Sequence, residues 1–150
     1  MPILNYTTEI SVAKTAGEIQ EILARAGANR VMIEFGIDRV PSAVSFQIDF
    51  QGQPISYHLP TRWQGVYQAL RNNKDVPARL KTEAQAKKVG WRIVKDWINS
   101  QCAMIEAGTA ELTEVFLPYM LNNKNQTMFD VWKDETLALG SGEVIEGEVQ

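Results

Sequence analysis

Between positions 62 and 95 the chain carries nine basic residues: Arg62, Arg71, Lys74, Arg79, Lys81, Lys87, Lys88, Arg92 and Lys95. Only Asp75 and Glu83 oppose them, so this block has a local charge of +7. At about 100° per residue along a helix, Lys81, Lys88, Arg92 and Lys95 share one arc with Asn99, and Trp91 borders it. Cations on such a stripe can each neutralise a backbone phosphate, and an aromatic beside them can stack on a base. Arg62, Trp63 and Arg79 would extend the same surface, and Lys87 adds a further cation to it. Glu83 and Asp96 are the carboxylates on this stretch, too few to neutralise the stripe by pairing along the helix. The competing reading is a solvated helix face that balances acids elsewhere in the fold, with Trp63 and Trp91 as core residues.

Other chemistry has fewer candidates. His58 is the single histidine, and it shares the polar face of a strand with Ser56. It could serve as a general base only in a cleft with a carboxylate within hydrogen-bond reach. Glu34 and Asp49, on neighbouring strands, could form a carboxylate pair or simply solvate an open sheet face. The sequence contains no G-x-S-x-G, phosphate-binding loop, G-x-G-x-x-G or H-E-x-x-H pattern. With one cysteine, Cys102, neither a disulfide framework nor a multi-cysteine zinc site can form. Cys102 reads as a small buried hydrophobe. No catalytic residue, cofactor or metal is expected.

These residues need elements to position them. Alternation over 5–12 suggests a strand, and Thr15 and Glu18 match a capping box opening a helix over 16–26. Val31, Ile33 and Phe35 suggest a second strand. Val44, Phe46, Ile48 and Phe50 alternate with polar residues, as in an antiparallel sheet with one face uncovered. A turn at 51–53 leads to a strand over 54–59, bracketed by Pro54 and Pro60. From there the period is helical. Thr61 with Gln64, and Thr82 with Gln85, match capping boxes for a helix over 62–72 and a long one over about 83–107. Thr109 would cap a short helix disturbed by Pro118, and Thr127 with Asp130 would start a last one. Strands followed by helices indicate an α+β fold, a three- to four-stranded antiparallel sheet with helices packed on one face and a helical C-terminal half.

The 150 residues are 45% hydrophobic and 22% charged, with a formal net charge of −3. A chain of this length can build a core without staples, so a single domain over 1–138 is expected, followed by an acidic, disordered tail over 139–150. Neither a membrane-spanning run nor a secretory signal stands in the sequence, so the expected compartment is the cytoplasm. Residues 96–150 hold two basic and ten acidic residues, or −8, opposite in sign to the preceding block.

The stretch GWRIVKDWINSQCAMIEAGTAELTEVFLPYML (90–121), with the opening NYTTEISVAKTAGEIQEIL, resembles a family of small uncharacterised bacterial and phage-associated proteins. That resemblance covers most of residues 1–139 and implies a phage or mobile-element origin. The order of helix 16–26, strands 31–35, 43–50 and 54–59, and a helix opening TEAQAKKVGW is similar in layout to double-stranded-RNA-binding domains. In this chain an additional helix, 62–72, intervenes. The similarity implies phosphate contacts near Lys87 and Lys88.

Two functions therefore stand as expectations. One is a non-enzymatic nucleic-acid-binding accessory protein, taking DNA or RNA on Arg62, Trp63, Arg79, Lys81, Lys87, Lys88, Trp91, Arg92 and Lys95. The other is a protein-interaction adaptor or inhibitor, whose basic and acidic surfaces dock a protein partner or a second copy.

Overall fold

A computed structural model describes residues 1–139 of the chain. The first helix, α1 (Val12–Arg25), starts earlier than the capping pattern suggested because Ser11 is its N-cap: the Ser11 hydroxyl accepts from the Lys14 backbone N–H at 3.1 Å. Thr15 and Glu18 lie inside the helix, and Thr15 is fully buried. The expected strand over 5–12 does not form. Instead Tyr6 N–H donates to the Ile3 carbonyl and Thr8 N–H to that of Asn5, turning the chain. The Gln85 side chain then pins this turn by donating to the carbonyls of Tyr6 and Thr8 at 3.0 and 2.9 Å.

Three antiparallel strands follow, β1 (Arg30–Phe35), β2 (Pro41–Phe50) and β3 (Gln53–Pro60), in spatial order β1-β2-β3. The fold is α+β, as its patterning indicates. Helices α1 and α3 (Glu83–Glu106) lie together on the apolar face of the sheet. Ile19 and Leu23 of α1, Val44 and Phe46 of β2, Tyr57 and Leu59 of β3, and Trp91 and Ile98 of α3 make the main core. The Phe46 ring stacks on Tyr57 at 4.8 Å between centroids, and Phe116 meets Phe46 edge-on at 5.2 Å.

Helix α2 (Trp63–Asn72) runs back along the first half of α3. Thr61 does not cap it. Its hydroxyl donates to the Ser42 carbonyl at 3.1 Å, and Arg62 occupies the N-cap position in the left-handed region, φ 48°. A second cluster of Leu70, Val76, Leu80 and Ala86 seals the α2–α3 hairpin, with a 3-10 turn at Ala78–Leu80. Thr82 does cap α3, accepting from Gln85 N–H at 3.1 Å. Helix α3 stops where Gly108 takes φ 74°, a conformation that a Cβ disfavours.

Beyond it, α4 (Leu112–Val115) is capped by Glu111 and Glu114 rather than by Thr109, whose hydroxyl turns back to the Met104 carbonyl. After a 3-10 turn at Leu117–Tyr119, residues 120–121 pair with the edge of β3: Leu121 N–H donates to the Ser56 carbonyl at 2.8 Å. Thr127 and Asp130 cap each other at the start of α5 (Met128–Leu139), as their spacing suggests. The expected acidic tail lies outside the described residues, apart from its first position. Among the described residues no helix is long and apolar enough to cross a membrane.

Candidate functional site

Helix α3 does present Lys88, Arg92 and Lys95 along one side, but three members of the basic block are already occupied. Arg92 Nη1 donates to Glu18 Oε2 at 2.7 Å and to Thr15 Oγ1 at 3.3 Å, and its side chain is only 14% exposed. Lys87 pairs with Asp38 in the β1–β2 turn and holds its ammonium 4.9 Å from the centre of the Trp63 ring. Lys95 lies 3.8 Å from Asp96. The acids that close the stripe come from α1, from the β1–β2 turn and from α3 itself. Among the described residues, Asp96 at the start of the acidic C-terminal third is the only acid that third supplies.

Neither tryptophan is a free stacking platform. Trp91 is 0% exposed in the main core, where its Nε1 donates to the Pro41 carbonyl at 3.0 Å. The helix turns it inward at the point where α3 crosses the start of β2, which corrects its assignment as a base-stacking residue. Trp63 is half-buried against the second cluster and stands beneath Lys87. The remaining cations have no acid partner, although Arg71 lies over the Tyr67 ring at 5.6 Å from its centre. Arg62, Arg71, Lys74 and Arg79 are exposed, and Lys81 and Lys88 are half-buried. None of the six has a carboxylate within 4.0 Å among the described residues. All belong to the α2–α3 hairpin.

A second site lies on the opposite side of the sheet. The polar face of β1-β2-β3 is not covered by a helix, and residues 121–125 rise beside β3 as a wall. Together they enclose a depression of 830 Å³, within the size range of small-molecule sites. Strand register builds its floor as two rows: Met32, Ser45 and His58 stand opposite one another, and so do Arg30, Gln47 and Ser56. At the first row Ser45 Oγ donates to Glu34 Oε2 at 2.6 Å. His58 Nδ1 lies 2.9 Å from the same carboxylate oxygen and 3.1 Å from Ser45 Oγ. A carboxylate only accepts, so Nδ1 carries the proton and Nε2 is the ring nitrogen left without a partner among the described residues.

His58 thus lies in a cleft with a carboxylate in hydrogen-bond reach, the condition set for a general base, but this is not the geometry of an activated serine. That arrangement needs the hydroxyl on Nε2 and the acid on Nδ1, whereas Ser45 and Glu34 approach the same nitrogen. Glu34 and Asp49 form no pair. Glu34 faces Ala43 and Asp49 faces Pro54, six residues further along β2 and about 20 Å away at strand rise. Among the described residues no cluster of three His, Cys, Asp or Glu could hold a metal ion. Cys102 of α3 is half-buried facing α1, and burial pushes its thiol pKa up, with the Arg25 charge acting in the opposite direction.

Alternation alone assigns Glu34, Ser45, Gln47, Ser56 and His58 to one face. It does not give the pairing that brings Glu34 and Ser45 to His58, because register depends on turn geometry. Counting back from the Gln51-Gly52 turn sets Ser45 opposite His58; the bulge after Glu34 had no such signal. Compared with known proteins, the chain matches no family model, no curated protein and no solved structure.

Proposed function

We propose that the protein is a non-enzymatic nucleic-acid-binding accessory protein of phage or mobile-element origin, and that it contacts phosphates through the α2–α3 hairpin. One observation carries this reading: Arg62, Arg71, Lys74, Arg79, Lys81 and Lys88 share one helical hairpin with no ion-pair partner within 4.0 Å among the described residues. Six cations outside ion pairs, against Asp75 and Glu83 on the same hairpin, create a local positive field that an anionic polymer neutralises with release of its counterions. The surface differs from the stripe in the sequence. Arg92 and Lys87 tie α3 to other elements, Lys95 lies against its neighbour Asp96, and Trp91 belongs to the core. Titrating labelled duplex DNA at several salt concentrations tests the reading. The logarithm of affinity should fall with the logarithm of salt by about 0.9 per phosphate contacted.

A second reading has its own support. Phe129 and Trp132 of α5 are exposed, with ring centres 5.8 Å apart, beside Asp130, Asp134 and Glu135. An acidic helix with an exposed aromatic pair suits an adaptor that docks a protein partner. Loss of partner capture on Trp132→Ala, with DNA binding intact, would favour it.

A further inference from the structure

We infer that the open face of the sheet binds an uncharged, polyhydroxylated ligand, a sugar or the sugar unit of a larger molecule, through His58, Ser56 and Gln47. The inference is independent of the hairpin and its phosphates.

The first argument is the state of His58. Its Nδ1–H is committed to Glu34, a carboxylate that Ser45 also holds in place. Rotation of the ring would break that bond, so the imidazole has a fixed direction. Nε2 has no hydrogen-bond partner among the described residues, and the side chain is 32% exposed. A fixed, accessible ring nitrogen on the floor of a depression, free to bond a hydroxyl as acceptor or as donor, is the kind of polar group that orients a ligand.

The second argument is the mixture of groups around it. Gln47, Asn123 and Asn125 each offer an amide with donors on one side and an acceptor on the other. Gln47 Nε2 and Ser56 Oγ stand 3.4 Å apart, a long contact that a ligand can replace without loss. A hydroxyl both donates and accepts, and neighbouring hydroxyls on a ring satisfy this mixture. The two rows are about 7 Å apart along the strands, and each is about 10 Å wide across three strands. A single sugar ring can reach both.

The third argument is what the lining disfavours. Arg30 and Glu34 are its formally charged side chains, and their charges cancel. With one cation and one anion the lining has no net positive charge to select a phosphate or carboxylate over a neutral ligand. A divalent cation lacks the carboxylate set it needs. A flat aromatic base would find no Phe, Tyr or Trp ring to stack on, because the Phe46 ring is buried on the other face against Tyr57 and the His58 imidazole is the one exposed ring of the lining. The apolar patches, Met32 and Leu121, are small and suit the C–H face of a sugar.

The test is a 1H–15N correlation titration of the full chain with D-glucose, D-galactose, D-mannose, D-ribose and N-acetyl-D-glucosamine, with inorganic phosphate and adenine as comparators. At least one of these sugars should produce saturable shifts at Gln47, Ser56, His58 and Asn123 with millimolar affinity, and neither comparator should. His58→Ala and Ser56→Ala should each weaken that response about tenfold while circular dichroism stays unchanged. If His58→Ala unfolds the sheet, Ser56→Ala alone decides. The inference is overturned if none of these sugars gives a saturable response, if phosphate or adenine binds the face more tightly, or if folded Ser56→Ala binds like the wild type.

Discussion

Arg92 Nη1 and Glu18 Oε2 meet at 2.7 Å across the contact between α3 and α1, with Thr15 Oγ1 completing the arrangement at 3.3 Å. The pair converts what the sequence offers as a phosphate-binding cation into a clamp between two helices on the sheet. Removing the guanidinium leaves a partly enclosed carboxylate unpaired. Arg92→Leu should therefore cost about 1–3 kcal/mol in urea unfolding. Lys95, 3.8 Å from Asp96, is a weaker partner, and Lys95→Met should change stability by less than about 1 kcal/mol.

Much of the fold was legible because alternation in β2 and β3 and the helical stripes of α2 and α3 are strong local patterns. Two features were not. The strand reading of 5–12 failed because Ser11, one residue inside the pattern, is a better cap than Thr15, and because Gln85, 77 and 79 positions from its partners Thr8 and Tyr6, fixes the preceding turn. The pairing of Arg92 with Glu18 is likewise long-range. Local spacing shows that α3 lacks its own acids, and only the packing of α1 shows where the balancing acid comes from. The His58 site was half legible: the face was readable, the cross-strand neighbours were not.

Tyr57 is fully buried, and its hydroxyl has no hydrogen-bond partner among the described residues. Tyr57→Phe keeps the stack with Phe46 and removes the unpaired oxygen, so it should stabilise the protein by about 1 kcal/mol. Burial also raises the Tyr57 pKa above its ordinary 10.0. Below pH 10.0 the phenol is neutral in both states. Above it the unfolded chain loses the proton first, so stability falls as pH rises. Chemical denaturation at alkaline pH should show a smaller fall in the Tyr57→Phe variant.

Asp38 accepts from the Lys87 ammonium and from the Val40 N–H, and both lower its pKa below 3.8. The stabilisation is present above that value and is lost as pH falls through the lower, folded one. An NMR titration of the Asp38 carboxyl should find its midpoint below 3.8 and should see it rise in Lys87→Met.

Gly17 and Gly65 sit inside α1 and α2 with nothing within 4 Å of an added Cβ. Gly17→Ala and Gly65→Ala should each stabilise by about 0.5–1 kcal/mol, by restricting the unfolded chain. Gly108→Ala should have the opposite sign, because φ is 74° at the end of α3. Thermal melts of the three variants distinguish the cases.

The proposed nucleic-acid surface is most directly tested by fluorescence anisotropy with labelled single- and double-stranded DNA and RNA, at low and at physiological salt. Wild type would be compared with Arg71→Glu/Arg79→Glu on the open hairpin and with Lys95→Glu on the paired stripe. The account predicts salt-sensitive binding that the double reversal weakens at least about tenfold, a change of about 1.4 kcal/mol, while Lys95→Glu leaves it within about twofold. Absence of binding to all four ligands at low salt, or an equal loss in Lys95→Glu, would contradict it.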